Sequence, residues 1–154
     1  MGTVHVAAES HLPPEQVLAA ARDFSERRAD RWPDVHVEHL HVHELGETFA
    51  EVTEGNPSEV GFMWERLRYD WSQPGSVKAT VVDSNLFHPG STWELRARPS
   101  NGGSLVEIIG IRHTKGMKGL YIAAAIRLGL AKRVVADHLR HFLRTLEDEA
   151  AGSR

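Results

Sequence analysis

Cysteine is absent from the 154 residues, which removes disulfides, thiolate zinc sites and a cysteine nucleophile together. No uncharged apolar run is long enough to cross a bilayer, and no basic segment followed by an apolar one opens the chain. The expected location is therefore the cytoplasm. Excess charge of one sign is also missing: Lys and Arg number 18, Asp and Glu 21, for a net charge of −3. Such a chain has no global field to hold a polyanion, which argues against general nucleic-acid binding. No Gly-rich loop joins a strand to a helix, and no serine sits in a Gly-x-Ser-x-Gly elbow. Phosphate-cradling and nucleophile-elbow chemistries are excluded by their own motifs. What remains is an ordinary globular composition, 41% hydrophobic and 25% charged. Its length predicts one domain over residues 1–149.

Periodicity gives the order of elements. Val4 and Val6 alternate within a first strand over residues 3–8. Pro14 and Glu15 then open a helix, since proline costs nothing in a first turn and an acid suits the positive pole. Val17, Leu18, Ala21 and Phe24 follow at helical spacing, and Ser25-Glu26 introduces a shorter helix ended by Trp32-Pro33. From Val35 the period changes to two. Strands are expected over residues 36–44, 47–54, 60–73, 76–84, 91–98 and 104–114, separated by turn chemistry such as Gly55-Asn56-Pro57, Gln73-Pro74-Gly75 and Asn101-Gly102-Gly103. The short links imply hairpins and an antiparallel meander. A single helix is expected over residues 117–149. Its stripe of Leu120, Ala124, Leu128, Ala131, Val135, Leu139, Phe142 and Leu146 steps by threes and fours. Glu147, Asp148 and Glu149 stand at its negative pole, so fraying after Leu146 and a loose tail over 150–154 are expected. The sheet needs a cover and only this helix is long enough to supply it. A curved sheet around one long helix leaves space that neither fills.

Particular stretches carry a resemblance. These are Leu12-Pro13-Pro14-Glu15-Gln16-Val17 after the first strand and Trp64-Glu65-Arg66-Leu67-Arg68-Tyr69-Asp70 with Pro74 behind it. Trp93-Glu94-Leu95 with Pro99 and Gly102-Gly103-Ser104, and Lys115-Gly116-Met117-Lys118-Gly119 before the last helix, extend it over nearly the whole chain. The sequence resembles the bacterial polyketide cyclase/dehydrase branch of the SRPBCC (START/Bet v 1-like) superfamily. The resemblance implies an α+β helix-grip fold: a curved antiparallel sheet of about seven strands around a long C-terminal helix, with two short helices after the first strand. It implies a small hydrophobic or amphipathic ligand in a cavity between sheet and helix. The chain would then be a carrier or sensor of lipid-like or polyketide-like molecules, or alternatively a cyclase or dehydratase that needs no cofactor. The matching motifs are structural, so the functional part is analogy.

The strand over 60–73 carries the main candidates. Met63, Glu65, Leu67, Tyr69 and Trp71 share its more apolar face. Inward, Glu65 would have its pKa raised by desolvation and suit acid/base catalysis; otherwise it pairs with an arginine such as Arg127 or faces solvent. Tyr69, Trp71 and Trp93 offer amphipathic surfaces to a ligand, or simply fill the core. With Leu67, Val81, Leu95, Ala124 and Leu128 they complete the expected ligand-binding set. The 104–114 strand is apolar on both faces, so periodicity leaves its facing open, and His113 is either a rim residue or an inward proton shuttle. His39, His41 and His43 share a strand face in metal-donor spacing, a second alternative as a metal-binding protein, although Leu40 and Val42 facing the core would leave that site open. In the last helix, Ile122 and Ile126 lie off the stripe with basic neighbours. Either a loop or the N-terminal helices cover them, or they mark a homodimer or membrane contact.

Overall fold

Seven strands and four helices arise from this pattern in the computed structural model, which describes residues 2–58 and 61–152. The expected strand start at Val60 and the last two residues of the expected tail lie outside the described residues. Strand β1 (Gly2–Ser10) leads to helices α1 (Pro14–Ala21) and α2 (Arg27–Arg31). A 3-10 turn (Val37–His39) precedes β2 (Leu40–Leu45), β3 (Phe49–Ser58), β4 (Gly61–Asp70), β5 (Ser76–Ser84), β6 (Thr92–Ser100) and β7 (Gly103–Arg112). Helices α3 (Gly116–Arg127) and α4 (Leu130–Gly152) end the described chain. All neighbouring strands are antiparallel in one sheet of order β1-β7-β6-β5-β4-β3-β2. Extra residues at Val82 of β5, opposite the Arg66–Leu67 step of β4, and at His43 of β2 bend it. This is an α+β helix-grip fold.

Alternation decides what the concave face buries. Leu67 and Tyr69, Val77, Ala79 and Val81, Leu95 and Ala97, and Val106 and Ile108 all turn inward. Leu139, Phe142, Leu143 and Leu146 of α4 lie across them. Strand β7 resolves its two-faced sequence in favour of Val106, Ile108, Gly110 and Arg112. Gly110 is what permits this: a β-carbon there would stand 2.4 Å from the Trp93 ring.

Three expectations are corrected. The last helix is two helices, because Gly129 adopts φ 77°, a left-handed conformation that ends α3. Leu128 N–H still reaches the Ala124 carbonyl at 3.0 Å, and Gly129 N–H the Ile126 carbonyl at 3.2 Å. Beyond that break the stripe is lost on α3, where Leu120 and Leu128 are exposed. Second, Gly55-Asn56-Pro57 is not a turn but part of β3, which pairs with β4 as far as Ser58 opposite Gly61. Third, α4 continues past Leu146, because the buried Arg31 guanidinium pairs with Glu149 at 3.0 Å and answers one of the adverse charges. The open reading of Ile122 and Ile126 resolves toward cover: both are half-buried against the core, and Ile126 packs on Gly2 of β1 rather than under a loop or the N-terminal helices.

The histidine segment also differs from its reading. His39 sits in the 3-10 turn, Val42 is exposed, and His43 hydrogen-bonds Thr53 Oγ1 at 2.7 Å. His39 instead packs edge-on against Phe62. Among the described residues no three His, Asp or Glu side chains come together to hold a metal ion, so His39, His41 and His43 do not converge on one. No helix among them is long and apolar enough to cross a membrane.

Candidate functional site

A cavity of about 150 Å³, partly open to solvent, lies between the concave sheet and α4. Its floor is Leu67, Val77, Ala79, Leu95 and Ile108, with Trp93 at one side. Val135 and His138 of α4 form the roof, and Ala21, Trp32 and Val35 the wall beside α1 and α2. Trp32 is fixed by stacking on Phe142, with ring centroids 4.2 Å apart and planes within 12°. Its indole N–H is buried and has no hydrogen-bond partner.

The polar end of the cavity is built from two cross-strand carboxylates. Glu54 of β3 stands opposite Glu65 of β4 in the register, and like charges in that position repel. Each is answered by a different buried arginine. Arg28 of α2 donates from Nε to Glu54 Oε1 at 2.9 Å and from Nη2 to the Tyr69 hydroxyl at 2.9 Å. Tyr69 donates in turn to Glu54 Oε1 at 2.9 Å. The remaining arm of Arg28 caps the carbonyls of Ala21 at 3.0 Å and Asp23 at 3.3 Å. Burial works against the charge of Arg28, but Tyr69 and Glu54 outweigh it and hold the guanidinium firmly protonated. Burial raises the Tyr69 phenol well above its usual pKa, so it stays neutral and serves as a donor.

Glu65 pairs with Arg112 rather than with Arg127. Arg112 is 1% exposed and lies between two rings, its guanidinium carbon 4.0 Å from the Phe87 centroid and 4.6 Å from that of Trp93. Its Nε and Nη1 have no hydrogen-bond partner. Burial raises the Glu65 pKa above the usual carboxylate value; Arg112 pulls it back, while Glu54 and Asp34 add to the rise. The site therefore holds a reluctant carboxylate beside a permanent cation and a neutral phenol. The Arg28–Tyr69–Glu54 trio is already engaged within itself, which suits orientation better than proton transfer.

Five of the expected ligand-binding residues, Glu65, Leu67, Tyr69, Trp93 and Leu95, line this cavity. Val81 is buried beyond it, and Trp71 lies just past the end of β4, where its indole N–H donates to the Glu47 carbonyl at 2.8 Å. Ala124 and Leu128 are turned to solvent, Leu128 with 75% exposure, because of the break at Gly129. His113 is tied by its backbone to Ser91 and lies outside the cavity. Sequence reading passed over Arg28, Trp32, Glu54 and Arg112. Glu54 comes opposite Glu65 because β3 runs on through Gly55-Asn56-Pro57 to Ser58, where the sequence predicts a turn at 55–57.

No protein-family model matches the sequence, and no curated protein matches it. Solved structures do match in fold. An aromatase/cyclase, Zhui, from Streptomyces sp. R1128 superposes with a TM-score of 0.78 at 14% identity, covering 96% of this chain and 94% of that one. The protein TTHA0849 from Thermus thermophilus gives 0.78 at 11% identity over 96% and 98%. A START superfamily protein from Mycobacterium smegmatis gives 0.71 at 10% identity over 100% of both chains. At these identities the likeness is one of fold.

Proposed function

We propose that this chain binds a small hydrophobic or amphipathic molecule between its sheet and α4, as a carrier or sensor. The cavity itself carries the reading: an apolar floor, aromatic flanks and a limited set of polar groups are the features of a ligand site. Its volume of about 150 Å³ matches a cavity that accepts a single-ring molecule in a well-studied engineered protein. A ring or short acyl group therefore fits this cavity. The unpartnered Trp32 indole N–H favours a ligand bearing one hydrogen-bond acceptor.

A second reading, in the cyclase or dehydratase direction, draws on the raised pKa of Glu65, which suits an acid or base. Its pairing with Arg112 weighs against it. The fold shared with an aromatase/cyclase is compatible with either reading.

Native mass spectrometry of the purified chain, followed by calorimetric titration with phenol and with decanoate, tests the proposal. A carried small molecule or saturable binding of either probe is expected. Ala79→Phe, which fills the floor, should abolish binding while circular dichroism stays native. No carried molecule and no saturable binding of either probe would overturn it. For the second reading, Glu65→Gln should leave binding nearly intact and abolish turnover; equal turnover by the variant would remove Glu65 as the acid or base.

A further inference from the structure

Helix α3 is two-faced in a way the fold does not use. Ile122 and Ile126 turn toward β1 and the core. On the opposite side Met117, Leu120, Tyr121 and Leu128 recur at helical spacing, with Met117 87% and Leu120 69% exposed. Leu130 and Val134 continue the apolar surface past the break at Gly129. Scattered exposed apolar residues are normal, but a contiguous row is not.

Along the sequence, the charge of this stretch is of one sign from Arg112 to Arg133. Between Glu107 and Asp137 there is no acidic residue, although acids outnumber bases in the whole chain. Lys118, Arg127, Lys132 and Arg133 are exposed there, with Lys115 at the start of α3. Lys132 and Arg133 also edge a shallow groove beside Gly129, whose far side holds Arg140 paired with Asp137. The apolar row is thus framed by cations in a protein that is otherwise acidic.

We propose that the outer face of α3 and the α3–α4 junction dock on an anionic lipid surface. Apolar side chains enter the acyl boundary while flanking lysines and arginines meet lipid phosphates, the arrangement of an interfacial helix. Charge complementarity selects this occupant over a second copy of the chain. A two-fold contact through the same face would set these cations against their own images. The inference does not depend on what occupies the cavity.

The test is co-sedimentation of the full chain with vesicles of phosphatidylcholine alone and of phosphatidylcholine with phosphatidylglycerol. Binding to the anionic vesicles is expected, with little to the neutral ones and a loss in high salt. Each cation removed should lower partitioning about fivefold, so Lys132→Gln with Arg133→Gln should lower it about 25-fold. Leu120→Glu with Leu128→Glu should abolish it. All four side chains are exposed, so thermal melting should be unchanged, and Val82→Asp on β5 should bind like the parent. Equal partitioning by parent and variants, or none on anionic vesicles at low salt, overturns the proposal. So does a dimer in light scattering that Leu120→Glu dissolves, or capture of an acidic protein without vesicle binding.

Discussion

Deleting Glu65 and deleting Arg112 are unequal perturbations, although the two form one ion pair. Glu65→Leu strands a guanidinium that is 1% exposed and already lacks partners for two nitrogens. Arginine cannot shed its proton to escape, so the cost should approach the about 3–5 kcal/mol of an uncompensated buried charge. Against a total stability of roughly 5–15 kcal/mol for a domain, that is a severe loss. Arg112→Met removes two ring contacts worth about 0.5–2 kcal/mol each and strands a carboxylate instead, but this one can protonate.

The sign of the pH effect follows. Burial already raises the folded-state pKa of Glu65, and loss of Arg112 removes the main force holding it down. A carboxyl raised above its unfolded value of about 4.3 penalises folding at neutral pH. That penalty fades as pH falls through the folded pKa toward the unfolded one. Urea unfolding followed by tryptophan emission at pH 7 and pH 5 should therefore show the Arg112→Met deficit shrinking relative to the parent. The Glu65→Leu deficit should persist. The double variant Glu65→Leu/Arg112→Met should recover to within about 1–2 kcal/mol of the parent, since an apolar pair can replace a buried ionic one. Additive losses in the double variant, or a Glu65→Leu cost below about 1 kcal/mol, would refute the reasoning.

Three further outcomes can be checked by the same unfolding assay. Tyr69→Phe removes the acceptor of Arg28 Nη2 and a donor to Glu54, for an expected loss of about 1–3 kcal/mol. Gly110→Ala drives a methyl group into the Trp93 ring; a loss of about 1–3 kcal/mol with an altered near-ultraviolet dichroism band is expected. Gly129→Ala meets no neighbour within 4 Å, so only its left-handed backbone is penalised, by about 1–2 kcal/mol, with no change in that band.

The sheet was legible because its signals are local. Turn residues and alternating periods mark β5 with its observed bounds and put Leu67, Tyr69 and Leu95 on the buried side. The break at Gly129 was hidden by a stripe that steps correctly across it, since spacing records faces and not backbone sign. The facing of β7 depended on Trp93, a neighbour on another strand, needing the space above Gly110. Arg28 and Arg112 were missed for a related reason. Charged residues read as solvent-facing, and only the three-dimensional meeting of Glu54 with Glu65 creates the demand for two buried cations. The site was half readable: its apolar floor follows from alternation, its polar end from register.

The pairing of β1 with β7 has a consequence for biosynthesis. His5 and Glu107, joined at 2.7 Å, are 102 positions apart, so β1 has no partner in the sheet until β7 emerges. At about 5–20 residues per second that interval is on the order of 5–20 s, during which Val4 and Val6 remain uncovered on the nascent polypeptide. A ribosome-bound chaperone that holds the amino-terminal segment would have its longest engagement here, and shortening the separation by circular permutation should shorten that dependence.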